Sequence, residues 1–339
     1  MDPPDRTHGE NGLASDPKDL IVGTIRPPSW LERIPAPAWL FVGLAVFDAA
    51  YRIWQGPFLG RDDFSLSNAA SFILSVVAGA ATVLLPAAVL VGRRRNGLAE
   101  SRLLQGAVAL AAAELVGLVG RDVVDLVAGP SSLELETPAG MSDFVARVAV
   151  IQIPVLLLRI FGLARIGLGL RAISAPSRPP ARIVLVIVAG SFAATLLGLG
   201  WSIQTFQAQA AAYPLLLTYN LLVVALGLVV FGLWAWIASV AARRESPAWR
   251  WMVLGSLAIV LALGLAHLGS ILAFIQGGTE NAQTILTWFG LAASAVDTLG
   301  AVFLVVGFAR GLETNRPGES EAPPDAASDS GPIGRPAGT

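Results

Sequence analysis

Polar residues punctuate this chain at long intervals. Between them run eight apolar stretches, about 37–54, 68–92, 103–128, 144–170, 182–203, 214–242, 251–275 and 285–309. Each is long enough to cross roughly 30 Å of bilayer hydrocarbon as a helix, and together they predict an all-α polytopic membrane protein, a bundle of eight transmembrane helices. Eight such stretches cannot all be buried in one soluble domain of this size. Of the 339 residues 54% are hydrophobic and 14% charged, against about 25% charged in soluble domains, which leads to the same class.

Three segments follow. Residues 1–36 read as a cytoplasmic N-terminal tail, rich in Pro, Asp and Gly and lacking the sustained apolar run of a cleavable signal peptide. Residues 37–310 form the transmembrane domain, and 311–339 a disordered cytoplasmic tail with too little apolar surface to fold. Arginine follows the second, fourth, sixth and eighth spans, in "GRRRNGLAESR", "LRAISAPSRPPAR", "ARRESPAWR" and at Arg310 and Arg316. The opposite loops hold one arginine and several acids, so the positive-inside rule puts both termini in the cytoplasm of a cell-membrane protein. Trp39, Trp54, Trp201, Trp249, Trp251 and Trp288 fall near span ends, where interfacial anchors are expected.

The two halves share a rhythm. "RRRNGLAESRLLQGAVAL" is similar to "ARRESPAWRWMVLGSLAI", and "FGLARIGL" to "VGFARGLE", at offsets of roughly 145 to 149 residues. A parallel repeat of four spans plus four would produce this. So would fixed helix lengths and arginine-rich loops without any duplication.

The third span carries the most unusual chemistry. It is built of Ala, Gly, Val and Leu, without aromatics, as suits a helix packed among neighbours. Glu114, Arg121 and Asp125 share one of its faces. A charge near mid-membrane costs about 2.5–3.5 kcal/mol and calls for a partner. Spans three and four are joined by a loop centred near residue 136; Glu114 stands 22 residues before that centre and Arg159 23 after, while Asp125 and Arg147 each stand 11 away. This predicts a deep Glu114–Arg159 pair and an outer pair of Arg147 with Asp125 or Asp122, with Arg121 able to join either. Pro154, one turn before Arg159, should kink span four and free backbone groups beside it.

Asp297 lies near the middle of span eight and His267 in span seven, about one turn closer to the outer side, near enough to approach each other; such a pair can relay protons or be a plain structural contact. Asp48 and Arg52 stand at i, i+4 in span one; with Tyr51 and Trp54 nearby they read as an anchor, Arg52 snorkelling to the outer interface. Ser71, Ser75 and Gly79 form a small-residue packing row on span two, and Asn220 suits an interhelical hydrogen bond.

Absences narrow the function. The net charge of −1 and lack of a long basic run exclude a nucleic-acid footprint. There is no cysteine, only two histidines, and no HExxH, GxSxG or Walker motif, so no cofactor, no metal and no catalytic residue is expected, an intramembrane lipid enzyme built on Asp297, His267 or Glu114 being a minor alternative. The favoured reading is a permease or ion-coupled carrier of small solutes, with Glu114, Arg159, Arg121, Asp297, His267 and Pro154 along its path. The other is a non-transporting scaffold or sensor subunit with static ion pairs. The lipid bilayer is the expected partner, beside a protein partner or a second copy.

Overall fold

Proline at the first helical position costs no backbone hydrogen bond, and Pro138, Pro214 and Pro247 open three helices of the computed structural model, which describes residues 34–55, 66–92, 98–128, 138–173, 182–210, 214–244, 246–275 and 280–311. The described residues form α1 (Ala36–Gln55), α2 (Leu66–Val91), α3 (Leu98–Ala128), α4 (Pro138–Ile173), α5 (Arg182–Ala210), α6 (Pro214–Ala241), α7 (Pro247–Ile275) and α8 (Glu280–Ala309), with no strand among them. Seven of the helices are long and apolar enough to cross a membrane; in α5 the apolar run over described side chains, Arg182–Gly198, is shorter. The chain is a helical membrane bundle. Both expected tails lie outside the described residues, apart from the segment from Ile34 and the last turn at Gly311.

Six helices close a ring in the order α2, α3, α4, α6, α7, α8, with α8 returning to α2. α1 lies outside the ring on α2 and touches α3, and α5 lies outside it on α7 and α6. Exchanging every helix for the one four places along turns each principal neighbour pair into another neighbour pair. Among the described residues the two halves meet chiefly through α2 with α8 and α4 with α6, and each seam carries a polar tie: Thr298 Oγ1 donates to the Leu74 carbonyl at 3.1 Å, and Tyr219 Oη to Gln152 Oε1 at 2.6 Å.

Glycine sets the closest crossings within each half. A Cβ on Gly106 of α3 would stand 2.5 Å from the Gly162 carbonyl of α4, and one on Gly255 of α7 would stand 2.9 Å from the Gly300 carbonyl of α8. Only glycine lets the backbones approach this closely. These crossings align α3 with α7 at the offset expected from the sequence, but place α8 seven residues away from the register that "FGLARIGL" and "VGFARGLE" suggest. Those similar strings are not equivalent positions in space.

The buried core is concentrated toward the end of the bundle where α2, α4, α6 and α8 finish. Leu103, Ile166, Leu170, Ile237, Met252 and Phe308 pack there. Trp249 belongs to this core at 0% exposure, with its Nε1 unbonded; it is not the interfacial anchor its position suggested, because α7 starts at Pro247 inside the ring of neighbours. Trp39, Trp54 and Trp288 are exposed, as anchors would be. At the same end Gly92 meets the Phe308 carbonyl, and Gly311, with φ of +76°, turns the chain out of α8.

Candidate functional site

A chain of alternating charge crosses the first half. Arg52 Nε donates to Asp48 Oδ2 at 3.0 Å, Arg52 Nη2 to Glu114 Oε1 at 2.5 Å, and Arg159 Nη2 to Glu114 Oε2 at 3.2 Å. Each Glu114 oxygen thus holds one arginine. Asp48 is fully buried, and its Oδ1 has no partner, so Arg52 is what makes that carboxylate tolerable in an apolar setting. Arg159 differs from Arg52: its side chain is 45% exposed and Glu114 is its one ion-pair partner among the described residues.

Local sequence explains how α1 reaches the site. The i, i+4 spacing lays the Asp48 carboxylate along the Arg52 guanidinium, and Gly79 of α2 leaves the room they fill: a Cβ there would stand 2.7 Å from Arg52 Nε, Arg52 Nη2 and Asp48 Oδ2. Arg52 therefore does not snorkel outward. The expected anchor is instead the first link of the charge chain, and Gly79 serves that link as well as packing. Gly79→Ala should push the guanidinium away from Glu114 and destabilise the protein by about 1–3 kcal/mol. Thermal unfolding in detergent reads this; an unchanged midpoint would mean that the pair shifts without loss.

The other expected contacts divide. Arg147 lies 3.9 Å from Asp125 across to α3, but its closer partner is Asp143 on its own helix at 2.8 Å. Asp122 turns to α1 instead, accepting hydrogen bonds from Tyr51 Oη and Gln55 Nε2. Arg121 lies on α3 with its side chain outside the described residues. His267 faces α5, where a Cβ on Gly198 would stand 2.9 Å from its own Cβ. It does not line the cavity that Asp297 lines, and the contact of Gly269 with Phe289 puts it level with about residue 291, some six residues from Asp297, so the two are not brought together. α4 continues through Pro154, which is exposed on the outside of the bundle. The buried Asn220 Nδ2 has no partner.

Inside the ring, above the dense core, lies a cavity of about 430 Å³. Its charged lining is Arg52, Glu114, Arg159 and Asp297; Ser75, Thr82, Ser294 and Thr298 add hydroxyls, and most of the remaining wall is aliphatic with Trp234. Both halves contribute. The glycine crossings pair the lining by position: Leu110 with Ile259, Leu163 with Ala301, Arg159 with Asp297 and Glu114 with Leu263. Arg159 and Asp297 each stand three residues before the crossing glycine of their helix. Opposite charges thus occupy equivalent places in the two halves. Arg159 has Glu114 beside it, whereas the place equivalent to Glu114 holds Leu263, and Asp297 makes no hydrogen bond or ion pair with a described residue.

Among the described residues no group of His, Cys, Asp and Glu is arranged to hold a metal ion. Comparison with family models, with curated proteins and with solved structures gives no match.

Proposed function

We propose that this membrane protein is a carrier of small solutes working by alternating access, its two four-helix halves rocking about the cavity between them. The carrying observation is that cavity: one space reaches Glu114 and Asp297 together, with both halves in its wall. Parallel repeats with a binding place at their interface are an established transporter plan. Intramembrane charges facing a polar cavity are also the usual mark of a solute or ion path. With both termini in the cytoplasm and all eight helices spanning, the dense core around Trp249 and Met252 closes the cytoplasmic side, and the shape is that of an outward-facing state.

The absence of cysteine gives a direct test. Ser75→Cys and Ser294→Cys each put one thiol on the cavity wall. In vesicles of known orientation a membrane-impermeant maleimide should label both variants from either side, faster from the outside. Labelling confined to one side under all conditions would mean a static bundle, and the scaffold or sensor reading would replace the carrier.

A further inference from the structure

The geometry points to a small organic monocation as the ligand of this cavity, with its ammonium group on the Asp297 carboxylate. The inference rests on the carrier reading in taking the cavity as the binding place.

Charge balance comes first. The described ionisable groups at the site are Asp48, Arg52, Glu114, Arg159 and Asp297, three acids against two arginines. Four of them neutralise one another in an unbroken chain. With its carboxyl ionised, Asp297 is the remainder, one negative charge. In a site with a largely apolar wall, one added positive charge is the complement of that remainder.

The repeat shows why the charge is left over. Arg159, the place equivalent to Asp297, is answered by Glu114 from the neighbouring third helix. Asp297 has Leu263 at the corresponding place on α7, and no described cation forms an ion pair with it. The second half is built as the first is, minus the counter-ion. A ligand ammonium supplies it.

Size and wall select the kind of cation. A cavity of about 430 Å³ is much larger than a bare metal ion or a proton requires and lies within the range of small-molecule sites. Leu74, Leu263, Ile259 and Trp234 give it an apolar wall, which suits an alkyl body. An anion fits poorly, because Arg52 and Arg159 are both engaged by Glu114 and a second negative charge would have to share the cavity with Asp297.

The test is calorimetric titration of the full-length protein in nanodiscs at neutral pH, with n-butylammonium chloride and, in parallel, sodium butyrate. Butylammonium should bind saturably and butyrate should give no binding heat. Asp297→Asn, close in shape, should weaken butylammonium about tenfold or more, as loss of a charged hydrogen-bond partner does, while Asp297→Glu retains binding; thermal unfolding of each variant checks that it is folded. Binding of butyrate in place of butylammonium, equal affinity in Asp297→Asn, or no butylammonium heat from folded protein would each overturn the inference. Butylammonium binding with thiol labelling from one side only would keep the cation site and remove the carrier. Two-sided labelling without butylammonium binding would do the reverse.

Discussion

Replacing Arg52 by leucine should cost about 3–5 kcal/mol of stability, the range seen when one partner of a buried ion pair is removed. The guanidinium bridges two carboxylates, Asp48 at 0% exposure and Glu114, and no other described cation touches Asp48. Leucine leaves that carboxylate with no ionic partner and an oxygen that was already unbonded. The double variant Asp48→Leu with Arg52→Leu removes the orphaned charge as well, and it should recover part of the loss. Denaturant unfolding in mixed micelles measures both. If single and double variants unfold alike, the pair does not hold α1 in place.

Arg159→Leu should behave in the opposite way, with a small effect on the fold and a large one on flux. Glu114 keeps Arg52, and the Arg159 side chain is 45% exposed, so the stability change should stay below about 1 kcal/mol. In the proposed carrier Arg159 is the cation available to face Asp297 when the cavity is empty and the halves reorient. Without it a lone carboxylate is occluded, at about 2.5–3.5 kcal/mol, which slows the return of the empty carrier roughly a hundredfold. Net butylammonium uptake into proteoliposomes should fall accordingly, while exchange of internal for external butylammonium, which never requires the empty return, should persist. Equal loss of uptake and exchange would show that Arg159 acts on the loaded carrier instead.

Depth was readable in part from the sequence, whereas facing was not. Counting residues from a loop measures height along a helix, and so the equal heights of Glu114 and Arg159 are legible in the sequence. The missing member escapes that count: on α1 and α3, which run in one direction, Arg52 and Glu114 each stand sixteen residues beyond the helix start, but the apolar stretches, starting near 37 and 103, put them at different heights because α3 begins with the polar turn at Glu100 and Arg102. Its neighbours concealed it. Beside Tyr51 and Trp54 an arginine resembles an interfacial anchor, and only the hollow at Gly79 reveals that it turns inward. His267 and Asp297 fail on both counts: Gly269 of α7 meets Phe289 of α8, which puts His267 level with about residue 291, some six residues from Asp297, and His267 turns to α5. Asp122 likewise turns toward α1 because Tyr51 and Gln55 supply donors there. The matching order of helix neighbours in the two halves has a counterpart in the punctuation of the sequence, but the register on α8 depends on where glycines let backbones touch, which similar strings at helix ends do not encode.

All four members of the charge chain belong to α1–α4. During synthesis, then, the costly residues Asp48, Glu114, Arg52 and Arg159 can satisfy one another while the second half is still on the ribosome. Only one intramembrane carboxyl, Asp297, arrives with the last helix. The order of the two halves along the gene therefore suits biogenesis: the polar hub is assembled first, and the later half closes around a lipid-compatible partner that is already complete.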